Sequence, residues 1–187
     1  MRVAFLLLLF VASPLRAADW CEEAWFIRNL VMDRAGYCFG SPLGAAMFDN
    51  AGCTGTQPQL TAYDRAVVAM IREAEQNTGC AVDTTSRALD LDSAPYLRAL
   101  ERLPARSEYE SACVGWRGPS LTLRSAPDPA APSWEVDATG LMILWQYDYP
   151  PVGDGWQVLS VMDDGALVAL GWSVTPIHDD LCDSMAG

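Results

Sequence analysis

Six cysteines, one histidine and several adjacent carboxylates are the side chains here whose chemistry depends on placement. Cys21, Cys38, Cys53, Cys80, Cys113 and Cys182 make an even set, and His178 is the single imidazole. Gly36-Tyr37-Cys38-Phe39-Gly40 has the G-x-C-x-G form of a nucleophile elbow. An elbow needs a strand before it and a helix after it, whereas the residues before Gly36 have helical spacing. Its only imidazole partner would be His178, at the far end of the chain. No CxxC or CxH pair offers the spacing of a zinc site. The reading taken is therefore three disulfides in an oxidising compartment. Fifteen pairings are open to six cysteines; the expected ones are Cys113–Cys182, Cys38–Cys53 and Cys21–Cys80. No metal and no other cofactor is expected.

The carboxylates Glu22-Glu23, Asp90 with Asp92, Asp163-Asp164 and Asp179-Asp180 lie close in sequence. A glycosidase-like centre needs two carboxyls across a cleft, one with a raised pKa, and nothing in the sequence selects such a pair. Asp163-Asp164-Gly165 reads as a hairpin turn. No catalytic residue is assigned. The aromatic set is a better binding candidate: Trp116, Trp145, Tyr147, Tyr149, Trp156 and Trp172. Trp156 and Trp172 are expected in the core. Trp145, Tyr147 and Tyr149 flank the acidic loop Tyr147 to Gly155 and are expected to face solvent as a groove for a peptide bearing Arg, Lys or Pro.

Charge narrows the partners. The 187 residues hold 12 Arg, no Lys and 24 Asp plus Glu. From Ser125 to Gly187 there are ten acidic residues and no Arg. Nucleic acid is excluded as a partner, because its affinity rests on basic groups neutralising phosphates. A peptide, protein or cell-wall fragment remains, preferably cationic.

The elements that position these residues can be read in order. Arg2, the apolar run Val3 to Ala12, Pro14 and Ala17 form the three-part pattern of a secretory signal, residues 1–17. The run is too short for a bilayer, which needs about 20 apolar residues. The mature chain is expected to be periplasmic or secreted, with no stable membrane insertion. Trp20 to Ala35 reads as a helix with Asp19 as cap and Gly36 as its stop. Arg28, which lies between apolar neighbours, is expected to pair with Asp33, Asp49 or a backbone carbonyl. Arg34 sits in the last turn, where a cation is favoured. Ser41-Pro42 opens a second helix, Thr61 with Asp64 opens a third ending at Gly79, and Ser93-Ala94-Pro95 opens a short fourth. Residues 105–112 read as a linker. Beyond Cys113 the period shortens, with strands expected at Ser120–Arg124, Gly140–Tyr147, Asp154–Val161 and Ala166–Ser173.

Two resemblances follow from these runs. Trp25, Arg28-Asn29, Met32-Asp33-Arg34-Ala35-Gly36, Tyr37, Phe39 and Phe48 stand in the order of a YARHG-type domain of exported bacterial proteins. Arg34 and Gly36 keep the family letters, and the family's His is replaced by Ala35. Leu121 to Pro127, Gly155-Trp156-Gln157-Val158 and Leu170-Gly171-Trp172-Ser173 resemble, in order, the strand motifs of a bacterial Src-homology-3 (SH3) type domain. The whole is similar to short exported bacterial proteins of unknown function. The expected fold is α+β: a disulfide-stapled helical domain over 18–104, then a small SH3-like β-barrel over 113–187. The resemblance implies a non-enzymatic envelope binding module. An envelope hydrolase using acidic residues or Cys38, and a structural or inhibitor-like secreted protein, are the alternatives.

Overall fold

A computed structural model describes residues 15–187, with side chains from Trp20 onward. Nearly all of the segment read as an export signal lies outside the described residues. The first helix, α1, spans Leu15–Arg34. Its buried face is Ala24, Trp25, Phe26, Ile27, Leu30 and Val31. The chain leaves α1 at Gly36, whose φ is +81°. A side chain there is excluded twice. That φ is strained for any residue with a Cβ, and a Cβ would lie 2.7 Å from Thr54 Oγ1.

Helix α2, Pro42–Met47, starts as the sequence indicates: the Ser41 hydroxyl accepts from Gly44 N. Helix α3, Ala62–Thr78, is capped by Thr61 accepting from Asp64 N and closed by Gly79 at φ +69°. Helix α4, Ala94–Ala99, is short. The aromatic positions of the YARHG-type pattern are packing residues. Phe48 lies against Phe26, Phe39 and Trp25 with centroids 5.5, 4.8 and 6.0 Å away. Arg98 of α4 covers Phe26 and Phe48 from 5.1 and 5.4 Å, a stacking that guanidinium favours.

Seven strands follow: β1 Ala105–Val114, β2 Leu121–Arg124, β3 Ser133–Val136, β4 Met142–Asp148, β5 Gln157–Asp163, β6 Ala166–Ser173 and β7 Ser184–Ala186. They form one sheet in the order β3-β2-β6-β5-β4-β1-β7, antiparallel at each pairing. Two expectations are corrected here. The segment 105–112 is not a linker; it is most of β1, a strand between β4 and β7. The ladder does not close into a barrel, because β3 and β7 end the sheet as edges. The β5–β6 hairpin turns at Asp164 and Gly165, with φ of +47° and +86°, the positive pair that a tight two-residue reversal requires.

The sheet has two apolar sides. On one, Tyr147, Val158, Leu170 and Trp172 join the side chains of α1, α3 and α4 in a single core. On the other, Trp116, Leu121, Leu123, Ile143, Leu159 and Val161 pack around the Cys113–Cys182 bridge. Helices and sheet therefore share a core and lean on one another. The other bridges are Cys21–Cys80, tying α1 to the end of α3, and Cys38–Cys53, closing the loop around α2. These are the three pairs expected from the sequence.

Candidate functional site

The irregular half of β1 creates the most unusual surface. Arg106 lies opposite Tyr147 and Ser111 lies opposite Trp145. Four residues of β1, Ser107 to Glu110, thus face one residue of β4, Gln146. An ordinary bulge sets two against one, so this segment must leave the sheet. The Ser107 hydroxyl accepts from Tyr109 N at 3.2 Å and holds the loop's turn. Tyr109 ends up 77% exposed, the most exposed large apolar side chain described. Glu108 and Glu110 are exposed on either side of it.

Arg106 fills the gap that the bulge leaves. Its Nη1 donates to Gln146 O at 2.7 Å and Ser107 O at 3.1 Å. Its Nε sits 2.7 Å from Glu23 Oε2 on α1, and Nη2 lies 3.5 Å from Glu110 Oε2. The Trp20 indole N–H also donates to Ser107 O. Tyr147 completes the knot by donating its hydroxyl to Glu23 Oε1 at 2.6 Å. Burial pushes the Tyr147 pKa well above its ordinary value, and the Glu23 carboxylate adds to the rise. The hydroxyl therefore stays a donor. A buried ion pair of this kind is weak support for net stability, but breaking it is costly. What it fixes is position: α1, β1 and β4 meet at one guanidinium.

Beside the knot lies a trough of about 240 Å³, lined by Tyr109, Glu110, Trp145, Tyr147 and Asp148 with two serines. A second hollow of about 180 Å³ continues toward α3, where Glu73 and Asn77 line it with Tyr109 and Asp148. Trp145 is half-buried and donates its indole N–H to Gln157 Oε1 at 2.8 Å. Tyr147 shows the trough only an edge, being 6% exposed. Tyr149 is elsewhere: its hydroxyl donates to Trp156 O at 2.6 Å and its ring meets Trp172 edge-on at 4.8 Å. The expected groove of three exposed aromatics is thus corrected. Trp145 and Tyr147 border the same hollow, Tyr147 from inside the core, and Tyr149 belongs to the packing over Trp172. Trp172 is fully buried as expected, while Trp156 is only partly covered.

The other singled-out residues have structural partners. Arg28 pairs with Glu75 of α3, Nε to Oε2 at 3.1 Å, rather than with Asp33 or Asp49. Glu75 lies 47 positions away, beyond the reach of local spacing. Arg34 donates to the carbonyls of Arg98 and Glu101 and ties the end of α1 to α4. Cys38 is bonded to Cys53 and no cysteine is free, so the elbow-like motif has no thiol and the Cys38 hydrolase reading is overturned. Among the described residues, no three His, Cys, Asp or Glu come together in a metal-binding group. Sequence reasoning missed Arg106 and Tyr109, and it did not select Glu23 from among the adjacent carboxylates. The signal for Tyr109 was present: one tyrosine set between two glutamates just after a proline and an arginine.

The family model described as "Domain of unknown function (DUF4453)" matches residues 79–187, more than half of the chain. The chain belongs to the DUF4453 family. The YARHG domain model matches residues 5–76. The two matches meet at the end of α3, so α4 falls with the sheet in the DUF4453 region. The Glu23–Arg106 pair and the Arg28–Glu75 pair then differ in kind: the first joins the YARHG region to the DUF4453 region, and the second lies within the YARHG region. No curated protein matches the chain, and no solved structure matches it. No described helix is long and apolar enough to cross a membrane, and three disulfides fit an oxidising compartment.

Proposed function

We propose that this DUF4453 protein is exported and acts in the bacterial envelope or outside the cell as a non-enzymatic binding module. Its partner presents a cationic peptide segment to the trough beside the β1 bulge. The observation that carries this reading is Tyr109, 77% exposed between two glutamates on a loop held by a buried arginine. An exposed aromatic costs solubility unless something covers it in use. Here its backbone N–H is held by the Ser107 hydroxyl, so less of the loop is left to be ordered on binding. The aromatic faces of Tyr109 and Trp145 suit a guanidinium or ammonium, and Glu73, Glu108, Glu110 and Asp148 supply the opposite charge. The absence of lysine and the acid excess of the whole chain favour such a partner by long-range attraction.

Isothermal titration of the oxidised protein with an Arg- and Lys-rich peptide tests the reading. Tyr109→Ala is expected to weaken binding roughly tenfold, the scale of one cation–π contact and its buried surface. Equal affinity of wild type and Tyr109→Ala, at low and at physiological salt, would overturn it.

A further inference from the structure

A second concavity sits on the other side of the Glu23–Arg106 pair. It is a cleft of about 370 Å³ between the segment preceding α4, the end of β5 and the start of β6. Its floor is the ion pair, whose two side chains are about one-tenth exposed and held by each other, Tyr147 and two carbonyls. Leu91, Met162 and Leu167 give it apolar walls. Asp90 and Asp92 also line it; both are exposed and neither has a hydrogen-bond or ion-pair partner among the described residues. Ser93, which lines the same cleft, is 7% exposed, and its Oγ is buried with no hydrogen-bond partner.

The chemistry of these groups is uneven. The floor is neutral in sum, so the uncompensated charge is that of the two aspartates. Leaving a buried hydroxyl unpaired is costly, and α4 does not use Ser93 as a side-chain cap. A ligand that satisfies all of this carries a cation with several donors on an aliphatic stem. The stem lies along Leu91, Met162 and Leu167, as long basic side chains do on apolar surfaces. The head reaches two carboxylates and one hydroxyl, matching the three donors of an ammonium.

We propose that this cleft is a second binding site, taking the basic side chain of a lysine or arginine through Asp90, Asp92 and Ser93. The site shares no exposed residue with the trough, so its test is separate from that of the reading above.

The probe is Nα-acetyl-lysine methylamide, titrated into the oxidised, ¹⁵N-labelled protein, with the norleucine analogue as the uncharged control and the arginine analogue in parallel. Saturable shifts are expected at residues 90–93, the Gln146 side-chain amide and the β5–β6 hairpin, with the lysine or arginine probe and not with norleucine. Asp90→Asn with Asp92→Asn is expected to weaken binding about tenfold while Tyr109→Ala leaves it unchanged. Both aspartates are exposed, so the double variant folds as the parent does. Three results would overturn the proposal: equal shifts with norleucine, shifts spread over the acidic surface without saturation, or an unchanged affinity in the double variant.

Discussion

Replacing Arg106 by Gln tests the claim that one buried guanidinium holds the helices, the bulge and β4 together. The substitution leaves Glu23, whose side chain is 9% exposed, without its cation. It also frees Gln146 O, which accepts from Arg106 at 2.7 Å, while Ser107 O keeps the Trp20 indole. Breaking a buried pair from one side costs about 3–5 kcal/mol, because the remaining charge is desolvated and unpaired. Against a total stability of about 5–15 kcal/mol this is a large fraction. For a domain of this size it corresponds to a fall in Tm of about 6–20 °C. Glu23→Gln is expected to cost less, because the amide oxygen still accepts from Tyr147. The double variant should cost at least about 1 kcal/mol less than the sum, as coupled neighbours do. The assay is urea unfolding of the oxidised proteins, followed by far-UV dichroism and by tryptophan fluorescence. The shared core predicts coincident transitions by the two probes in the parent. A loss below about 1 kcal/mol for Arg106→Gln, or additivity of the pair within about 0.5 kcal/mol, would refute the reasoning.

Two further outcomes follow from the same contacts. On the chain-entropy view, replacing both cysteines of the Cys38–Cys53 pair by serine costs roughly 3 kcal/mol. Doing so at Cys113–Cys182 costs roughly 4 kcal/mol, because the loops close over 15 and 69 residues. The urea midpoints of the two double variants check the order. In alkali, Tyr147 and Tyr63 both ionise later than an ordinary tyrosine, chiefly through burial. Folded pKa values above the unfolded one mean that this stability is whole below about pH 10 and is lost as pH rises beyond it. Ultraviolet titration should show these two rings ionising only as the protein unfolds, and Tyr147→Phe should flatten the alkaline fall in stability.

The sequence made the helical half legible because its signals are local. Thr61 with Asp64, Ser41 with Pro42, and Gly79 act within a few residues of themselves, and α2 and α3 start where those caps stand. Four strands showed as apolar runs between turn residues. The strand β1 did not, because Ser107 to Glu110 are polar and charged and read as a solvent-facing connection. Its status as a strand is set by β4, β7 and the helices packed on it, all distant in sequence. β3 was hidden behind its proline-rich approach, and β7 is only three residues long. The knot was illegible for a similar reason: Glu23, Arg106 and Tyr147 come from three separate elements. By sequence Tyr147 reads as a surface aromatic because it lies beside an acidic loop; its hydroxyl is instead turned to a carboxylate on α1. The trough was half legible, through Trp145, since aromatic content shows in a sequence while the bulge that exposes Tyr109 does not.

Peptide binding at the trough is read out by a chemical-shift map of an Arg- and Lys-rich peptide on the full, oxidised, ¹⁵N-labelled protein, with Asp90 and Asp92 replaced by Asn so that the second cleft does not contribute. Saturable shifts are expected, centred on residues 107–111, on the Trp145 indole and Asp148, and on the Glu73 to Asn77 turn of α3. Shifts scattered over the acidic surface, or concentrated away from the β1 bulge, would contradict it.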